Sequence, residues 1–349
     1  MDVMKLKDFT YPLPEELIAQ HPRPERDASR MMRLNRREKS LLDSRFAALP
    51  DFLAAGDVLV VNDSRVIPAR LYGKKKTGAI LEILLLSRKD TSGQTQLWEV
   101  LARPGKRIRE EDTIDLGHGA KGAVVARLSE KKWLMSFCAP DGFDAHLERF
   151  GRAPLPPYIK RKKSADPDQA ADRDRYQTVY ARPAGSIAAP TAGLHFTENV
   201  LAALRSRGVQ IASVTLHVGI GTFLPIEAEN VEDHVMQKEY FEISEEAARI
   251  INAACRVIAV GTTSTRTLES AADRDGRVRP QSGETGLYIY PGYAFKRVDG
   301  LLTNFHLPQS SLFLLVSAFA GTDFIREAYD RAVKQRYLFY SYGDCMLIL

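Results

Sequence analysis

From Thr197 to Gln335 the chain alternates helical and extended segments, and this alternation restricts the possible folds more than any other feature of the sequence. TENVLAALRSRG (197–208) has apolar residues at helical spacing, with Gly208 placed to cap its end. VQIASVTLHV (209–218) is strand-like, and SEEAARIINAAC (244–255) opens on a Ser and two Glu, as helix starts do. RVIAV (256–260) reads as a short buried strand, after which RTLESAA (266–272) begins a helix. TGLYIY (285–290) reads as another strand, and SSLFLLVSAFA and TDFIREAYDRAVKQ as two closing helices. The pattern predicts an α/β layer structure around a largely buried sheet.

A different texture precedes it. Between Val66 and Pro154 the apolar segments VIPARLYG, AILEILLLS, LWEVLA, GAVVARL and WLMSFCA are short and separated by polar or Gly-containing breaks, which argues for a small antiparallel barrel or sandwich. FDAHLERF (143–150) is a lone helix candidate after it. DFLAAGDVLVVND, ending in a strand, belongs with the α/β part. The fold class expected is therefore α/β: a discontinuous main α/β domain over 1–65 and 155–349, with a small antiparallel β-barrel domain inserted over 66–154. KRKKSADPDQAADRDR (160–175) lacks apolar periodicity and reads as a mobile loop.

Charge is unevenly spread. Residues 1–163 hold 31 Lys and Arg against 22 Asp and Glu, or +9, and residues 164–349 hold 18 against 22, or −4, which together give the net +5. The basic residues cluster around Arg65, Arg70 and Lys74–Lys76, around Arg103–Arg109, and around Arg149–Lys163, and a polyanion such as RNA would be drawn to them. MDVMKLKDF has charges where a signal peptide needs an apolar core, and the run Leu312–Ala320 is about half a membrane span, so a cytoplasmic location is expected. Cys138, Cys255 and Cys345 lie far apart without a CxxC pair, which supports neither a disulfide framework nor a thiolate metal site.

Four polar loops, three of them with glycine, follow strand-like segments: AAPTAGLHFT (188–197), TLHVGIGTF (215–223), VGTTSTRTLES (260–270) and LTNFHLPQSS (302–311). In α/β sheets ligands gather where such loops converge, so these four are expected to line one pocket. Gly261, the hydroxyls of Thr262 to Thr265 and the charge of Arg266 suit a carboxylate, phosphate or ribose. GIGTF is only a fragment of a glycine loop and does not argue for a dinucleotide. Three of the loops carry a histidine, His195, His217 and His306, whose spacing matches no local zinc motif. NDSR (62–65) is a polar turn able to hold an anion or to pair Asp63 with an arginine.

Over nearly its full length the chain resembles the S-adenosylmethionine:tRNA ribosyltransferase-isomerases of queuosine synthesis. The matching stretches are LVVNDSRVIPARL, PLPPYIKR, DRYQTVYARPAGSIAAPTAGLHFT, LHVGIGTFLPI, AVGTTSTRTLES, TNFHLPQSSLFLLVSAFAG and YGDCMLIL, and their joint order is highly specific. Gln237 and Gln309 depart from the pattern, which has histidine and lysine there. The resemblance implies an α/β domain with an inserted β-barrel. It also implies transfer of the ribosyl carbons of S-adenosylmethionine to 7-aminomethyl-7-deazaguanine at the wobble position of the Asp, Asn, His and Tyr tRNAs. Isomerisation then gives epoxyqueuosine, with adenine and methionine released. S-adenosylmethionine is consumed as a substrate, and neither a cofactor nor a metal is implied.

That chemistry needs a base for the ribose carbon beside the sulfonium, an acid for the departing adenine and an unprotonated aminomethyl nitrogen. His195, His217 and His306 are the candidates, with Arg266 and the Thr262, Thr263 and Ser264 hydroxyls gripping the methionine carboxylate or ribose. Gly219, Gly221 and Thr222 would let the adenosine approach the backbone, and Arg65, Arg70, Lys160, Arg161 and Lys162 would meet tRNA phosphates. The protein is expected to be a monomer that does not bind membranes. A non-catalytic RNA-binding module would explain the charge but not the loops, and a histidine-metal nucleotide hydrolase would explain the histidines.

Overall fold

The computed structural model describes residues 3–161, 168–223 and 226–349. Among them, nine strands form one sheet in the order Gln281–Thr285, Glu239–Ile243, Gln210–Leu216, Asp57–Asn62, Arg256–Val260, Gly300–Asn304, Cys345–Ile348, Arg30–Asn35 and Ser40–Arg45. The four strands from Gln210–Leu216 to Gly300–Asn304 are mutually parallel. The Asp57–Asn62 strand shows why it sits among them. Val58 and Val60 face one core, with Phe313 and Leu268, while Leu59 and Val61 face another, with Phe46 and Leu204. A strand covered on both faces has no polar alternation to show.

The helices Glu245–Asn252, Gly261–Ala271, Ser311–Ala320 and Thr322–Lys334 cover the first face, and Glu198–Ser206 with the 3-10 helix Phe46–Phe52 covers the second. The caps expected from sequence form: Thr197 Oγ1 accepts the Val200 N–H and Ser244 Oγ accepts the Ala247 N–H. Among the described residues no helix is long and apolar enough to cross a membrane.

Beyond Asn62 the chain pairs Arg65–Val66 in parallel with Ala184–Ser186 and enters a closed barrel of six antiparallel strands: Arg70–Lys75, Ile80–Ser92, Thr95–Arg103, Thr113–Gly117, Ala120–Arg127 and Lys132–Cys138. Inward-facing Leu71, Ile83, Val100, Met135 and Phe137 fill it. Closure is tight at Gly73, where a Cβ would lie 2.4 Å from Ile114. The helix Phe143–Phe150 returns the chain, and the base of the barrel packs on Ile187 and Ile220 beside the ends of the parallel strands.

The α/β architecture with its barrel is the one expected, but several local readings need correction. Thr113–Gly117 adds a sixth barrel strand to the five segments the sequence suggests, because TIDLG offers only two apolar residues. Of TGLYIY only Thr285 is in a strand: the paired segment is Gln281–Thr285, and Tyr288 and Tyr290 pack their rings together at 5.0 Å against the core instead. The helix expected from Arg266 begins at Gly261, whose φ of +84° turns the chain directly out of the Arg256–Val260 strand. Of the stretch expected to be a loop, residues 162–167 lie outside the described residues, and Asp168–Arg175 is a helix anchored by Asp172.

Candidate active site

A cavity of about 270 Å³ opens at the carboxyl ends of the parallel strands, near the lower end of the usual range for small-molecule sites. All four polar loops reach it, through Ala189–Ala192, Val218, Gly261–Thr263 and Thr303–Ser310. Thr262 and Thr263 sit in the first turn of the Gly261–Ala271 helix, so free N–H groups and the positive end of the helix dipole face this region. Ser264 is fully buried on the same helix, does not line the cavity, and has an unpartnered hydroxyl. The opposite wall holds Tyr158 and Tyr340, whose rings lie 4.2 Å apart.

His195 ends a 3-10 turn, Thr191–His195, that packs closely under the sheet: at Gly193 a Cβ would lie 2.2 Å from the Tyr180 hydroxyl. Its Nε2 is 3.1 Å from Asn304 Nδ2, and its Nδ1 is 3.0 Å from Ser29 Oγ. The Asn304 amide nitrogen also donates to the Tyr340 carbonyl, at 3.1 Å. Turning the amide over would set two oxygens against each other, so Nδ2 donates to His195 and His195 donates from Nδ1 to Ser29. Both ring nitrogens are thus occupied, and His195 does not line the cavity. Asn304 does, and its Oδ1, in a side chain 3% exposed, has no partner.

His306 lines the cavity directly. Two tyrosines pin its backbone, Tyr329 accepting its N–H at 3.0 Å and Tyr11 donating to its carbonyl. Its Nε2 meets Thr303 Oγ1 at 3.1 Å, and its buried Nδ1 is unpartnered. Burial lowers the pKa of His306 to about 3, and burial with nearby Arg23 and Arg26 does the same for His195. Both are neutral in the folded protein and protonate on unfolding below about pH 6.5. The unfolded chain then binds more protons, so their contribution to stability is present above pH 6.5 and is lost as pH falls toward 3. Replacing His306 with Gln should reduce the dependence of unfolding free energy on pH between 6 and 4 by about 1.4 kcal/mol per pH unit, measured by urea titration at each pH.

His217 sits one residue from the cavity-lining Val218. Its Nδ1 is 2.8 Å from Ser64 Oγ, which is 2.5 Å from Ser186 Oγ. The ring lies flat against Gly185, where a Cβ would be 2.7 Å from Nε2. Gly185→Ala should therefore displace the imidazole and lower activity by about tenfold or more in protein that still folds; steady-state rates, with a thermal melt to confirm folding, check this. Half-buried, His217 has its pKa lowered by burial and partly restored by Glu242. Among the described residues no hydrogen bond engages Nε2. Asn62 joins this group to the cavity, bonding Leu216 O at 3.0 Å and Thr263 Oγ1 at 3.3 Å. Asp63 accepts from Thr215 Oγ1 at 2.7 Å, so its hydrogen-bond partner is a hydroxyl and not the arginine allowed for.

Arg266 is not at the cavity. Its guanidinium forms a buried pair with Glu239, each side chain 4% exposed, and donates to Leu287 O at 2.9 Å. A helix starting at Gly261 rather than at Arg266 turns that side chain away. Gly219 N–H donates to Glu239 Oε1 at 2.8 Å, and Gly221 packs under Gln237, whose Cβ would lie 3.1 Å from an added Cβ. These glycines serve the clamp around Glu239 and Gln237 rather than lining the cavity. Thr222 falls in the turn Ile220–Phe223, its side chain outside the described residues. Gln309 is exposed at the cavity rim with a φ of +56°.

The basic residues expected to meet RNA divide sharply. Arg161 makes a two-point, largely buried contact with Asp172, at 2.7 and 2.8 Å, and Arg70 bonds Leu155 O at 2.6 Å and pairs with Glu82. Both hold the fold together. Arg65, 3.6 Å from Glu148, and Lys160, paired with Glu15, are exposed enough to exchange partners, and Lys162 lies outside the described residues. Sequence reasoning missed Asn304, Tyr340 and Tyr158. Only Asn304 left a signal, as the polar residue ending an apolar strand. Among the described residues no group of three or more His, Cys, Asp or Glu is arranged for a metal ion.

The profile of a family described as queuosine biosynthesis protein matches residues 6–348. An S-adenosylmethionine:tRNA ribosyltransferase-isomerase of Syntrophus aciditrophicus is 56% identical, covering 99% of this chain and all of the relative. One from Syntrophotalea carbinolica is 51% identical with the same coverage. The crystal structure of S-adenosylmethionine tRNA ribosyltransferase from Thermotoga maritima is similar with a TM-score of 0.54 at 36% identity, over 98% of this chain and 100% of that one.

Proposed function

The chain belongs to the queuosine biosynthesis family of S-adenosylmethionine:tRNA ribosyltransferase-isomerases, and from that premise we propose how its residues carry the reaction. S-adenosylmethionine is the consumed donor and occupies the cavity. 7-aminomethyl-7-deazaguanine at the wobble position of tRNA enters beside His217, and the products are epoxyqueuosine-tRNA, adenine and methionine. The wobble base lies in a single-stranded loop and is splayed out at little unstacking cost. In the same reading the chain is a cytoplasmic monomer acting on the Asp, Asn, His and Tyr tRNAs, with its α/β unit over 1–65 and 155–349 and its inserted unit over 66–154.

The observation that carries the assignment is the set of buried polar atoms left without partners at one cavity: Asn304 Oδ1, His306 Nδ1 and the Tyr340 hydroxyl. Buried polar groups are normally bonded, so a ligand with matching donors and acceptors belongs there. Asn304 Oδ1 accepts an N–H of the substrate, and His195 acts as a positioning residue that fixes which way the amide points. His306 is held neutral, which suits it to hydrogen-bond a substrate rather than to supply a proton. His217, less buried, is the histidine that moves a proton, with Ser64 and Ser186 as its orienting chain. Thr262 and Thr263 at the helix start receive the methionine carboxylate or ribose, and Arg65 and Lys160 contact tRNA phosphates.

Asn304→Ala should weaken S-adenosylmethionine binding by about 5- to 150-fold, the range for losing one buried partner worth about 1–3 kcal/mol. His195→Ala should weaken binding in the same direction without moving the pH profile of turnover. Calorimetric titration with S-adenosylmethionine decides this. Wild-type affinity in Asn304→Ala would take the amide out of the site, and a shifted pH profile in His195→Ala would restore it as a proton carrier.

A further inference from the structure

Two basic clusters that the reaction leaves unused, 74–79 and 103–112, meet a third segment, 127–132, at the end of the barrel away from the cavity. Lys75 Nζ donates to Arg107 O at 2.7 Å and pairs with Asp112 at 2.6 Å, and the Arg127 N–H donates to Glu110 Oε1 at 3.1 Å. The three segments hold ten Lys and Arg against four Asp and Glu, a net +6, while the whole chain is +5. All the rest of the molecule thus sums to −1. Lys74, Lys76, Arg103, Lys106, Arg107 and Lys131 are exposed and in no ion pair among the described residues. Such like charges repel one another, and the barrel's packing, which is internal, gains nothing from them.

We propose that this end of the barrel binds the phosphate backbone of the tRNA substrate away from the nucleotide being modified, an inference that rests on the proposed function. The strand Thr95–Arg103 runs from the end of the barrel held by the Phe143–Phe150 helix, where Gln96 donates to Asp144 at 3.0 Å, to this tip. Nine residues at about 3.3 Å each set the two ends up to about 30 Å apart. A wobble base in the cavity is out of reach of the tip, so the tip meets the backbone of a stem. Contacts of that kind are insensitive to base sequence and steeply salt-dependent.

The test is the triple variant Lys76→Gln, Arg107→Gln, Lys131→Gln in the full chain, with binding of a tRNA transcript followed from about 50 to 200 mM salt. The slope of log affinity against log salt should fall by about two, at about 0.7 to 0.9 per contact, with turnover at saturating tRNA unchanged. An unchanged slope in a variant with the wild-type melting temperature overturns the proposal. So does an unchanged slope accompanied by loss of binding to anionic phosphatidylglycerol vesicles, which would assign the tip to a lipid surface. Wild-type adenine release is measured alongside: if it depends on tRNA while the slope does not move, the tip alone fails, and if it is absent the proposed function fails with it.

Discussion

Replacing His217 with alanine is expected to lower tRNA-dependent adenine release by about 100- to 10,000-fold, the usual worth of a positioned general acid or base, while S-adenosylmethionine still binds. The expectation rests on a contrast among three histidines. His195 has both nitrogens engaged and a pKa near 3, and His306 is equally buried. A histidine that must gain and lose a proton near neutral pH cannot be buried so deeply. His217 is half-buried, with Nδ1 held by Ser64; burial lowers its pKa and Glu242 opposes that effect. If it is the base, activity falls on the acid side at a pH below the ordinary histidine value of about 6.5. Removing the charge with Glu242→Gln lowers that pKa further, so the base stays unprotonated to lower pH and the acid limb moves down. A limb that stays put or moves up, or near wild-type turnover in His217→Ala, would point to another group.

Glu239→Ala is expected to cost about 3–5 kcal/mol of unfolding free energy, because it leaves the Arg266 guanidinium buried with its charge unpaired. Loss of the Gly219 N–H partner adds to the effect. Removing both charges, as in Glu239→Leu with Arg266→Met, should be less destabilising than the single change, since no buried charge remains. Urea unfolding of the three proteins checks the order. If the single and double variants are equally destabilised, the pair does not act as a unit. The prediction also separates two accounts of Arg266. A residue gripping the methionine carboxylate would, when replaced, change substrate affinity with little effect on stability; the buried clamp changes stability first.

The parts of the fold that were legible in the sequence are those whose side chains report their surroundings locally. Thr197 and Ser244 mark helix starts because their hydroxyls cap N–H groups three residues on. The unbroken run Val58–Val61 marks a strand covered on both sides. The Thr113–Gly117 strand and the Asp168–Arg175 helix gave no such report, because barrel closure forms the one and the Arg161–Asp172 contact anchors the other. For the site, the four loops were legible because glycine and hydroxyl residues concentrate there. The different surroundings of the three histidines were not. IAAPTAGLHFT reads as a loop delivering His195 to a pocket, yet Gly193 serves contact with Tyr180 and His195 faces Asn304. Which loop side chain points at ligand and which at its neighbour depends on partners more than a hundred residues away. Arg266 reads as a ligand-binding residue, yet it faces Glu239, which sheet topology sets opposite it from 27 residues upstream.

In the proposed reaction S-adenosylmethionine bound in this cavity is the ribosyl donor to tRNA. The most direct measurement incubates the protein with S-adenosylmethionine and tRNA bearing 7-aminomethyl-7-deazaguanine, and quantifies free adenine and methionine. The two are expected in equal amounts, in step with loss of the aminomethyl base, and only when that tRNA is present. Folded protein that releases no adenine, or releases it at the same rate without the tRNA, would contradict it.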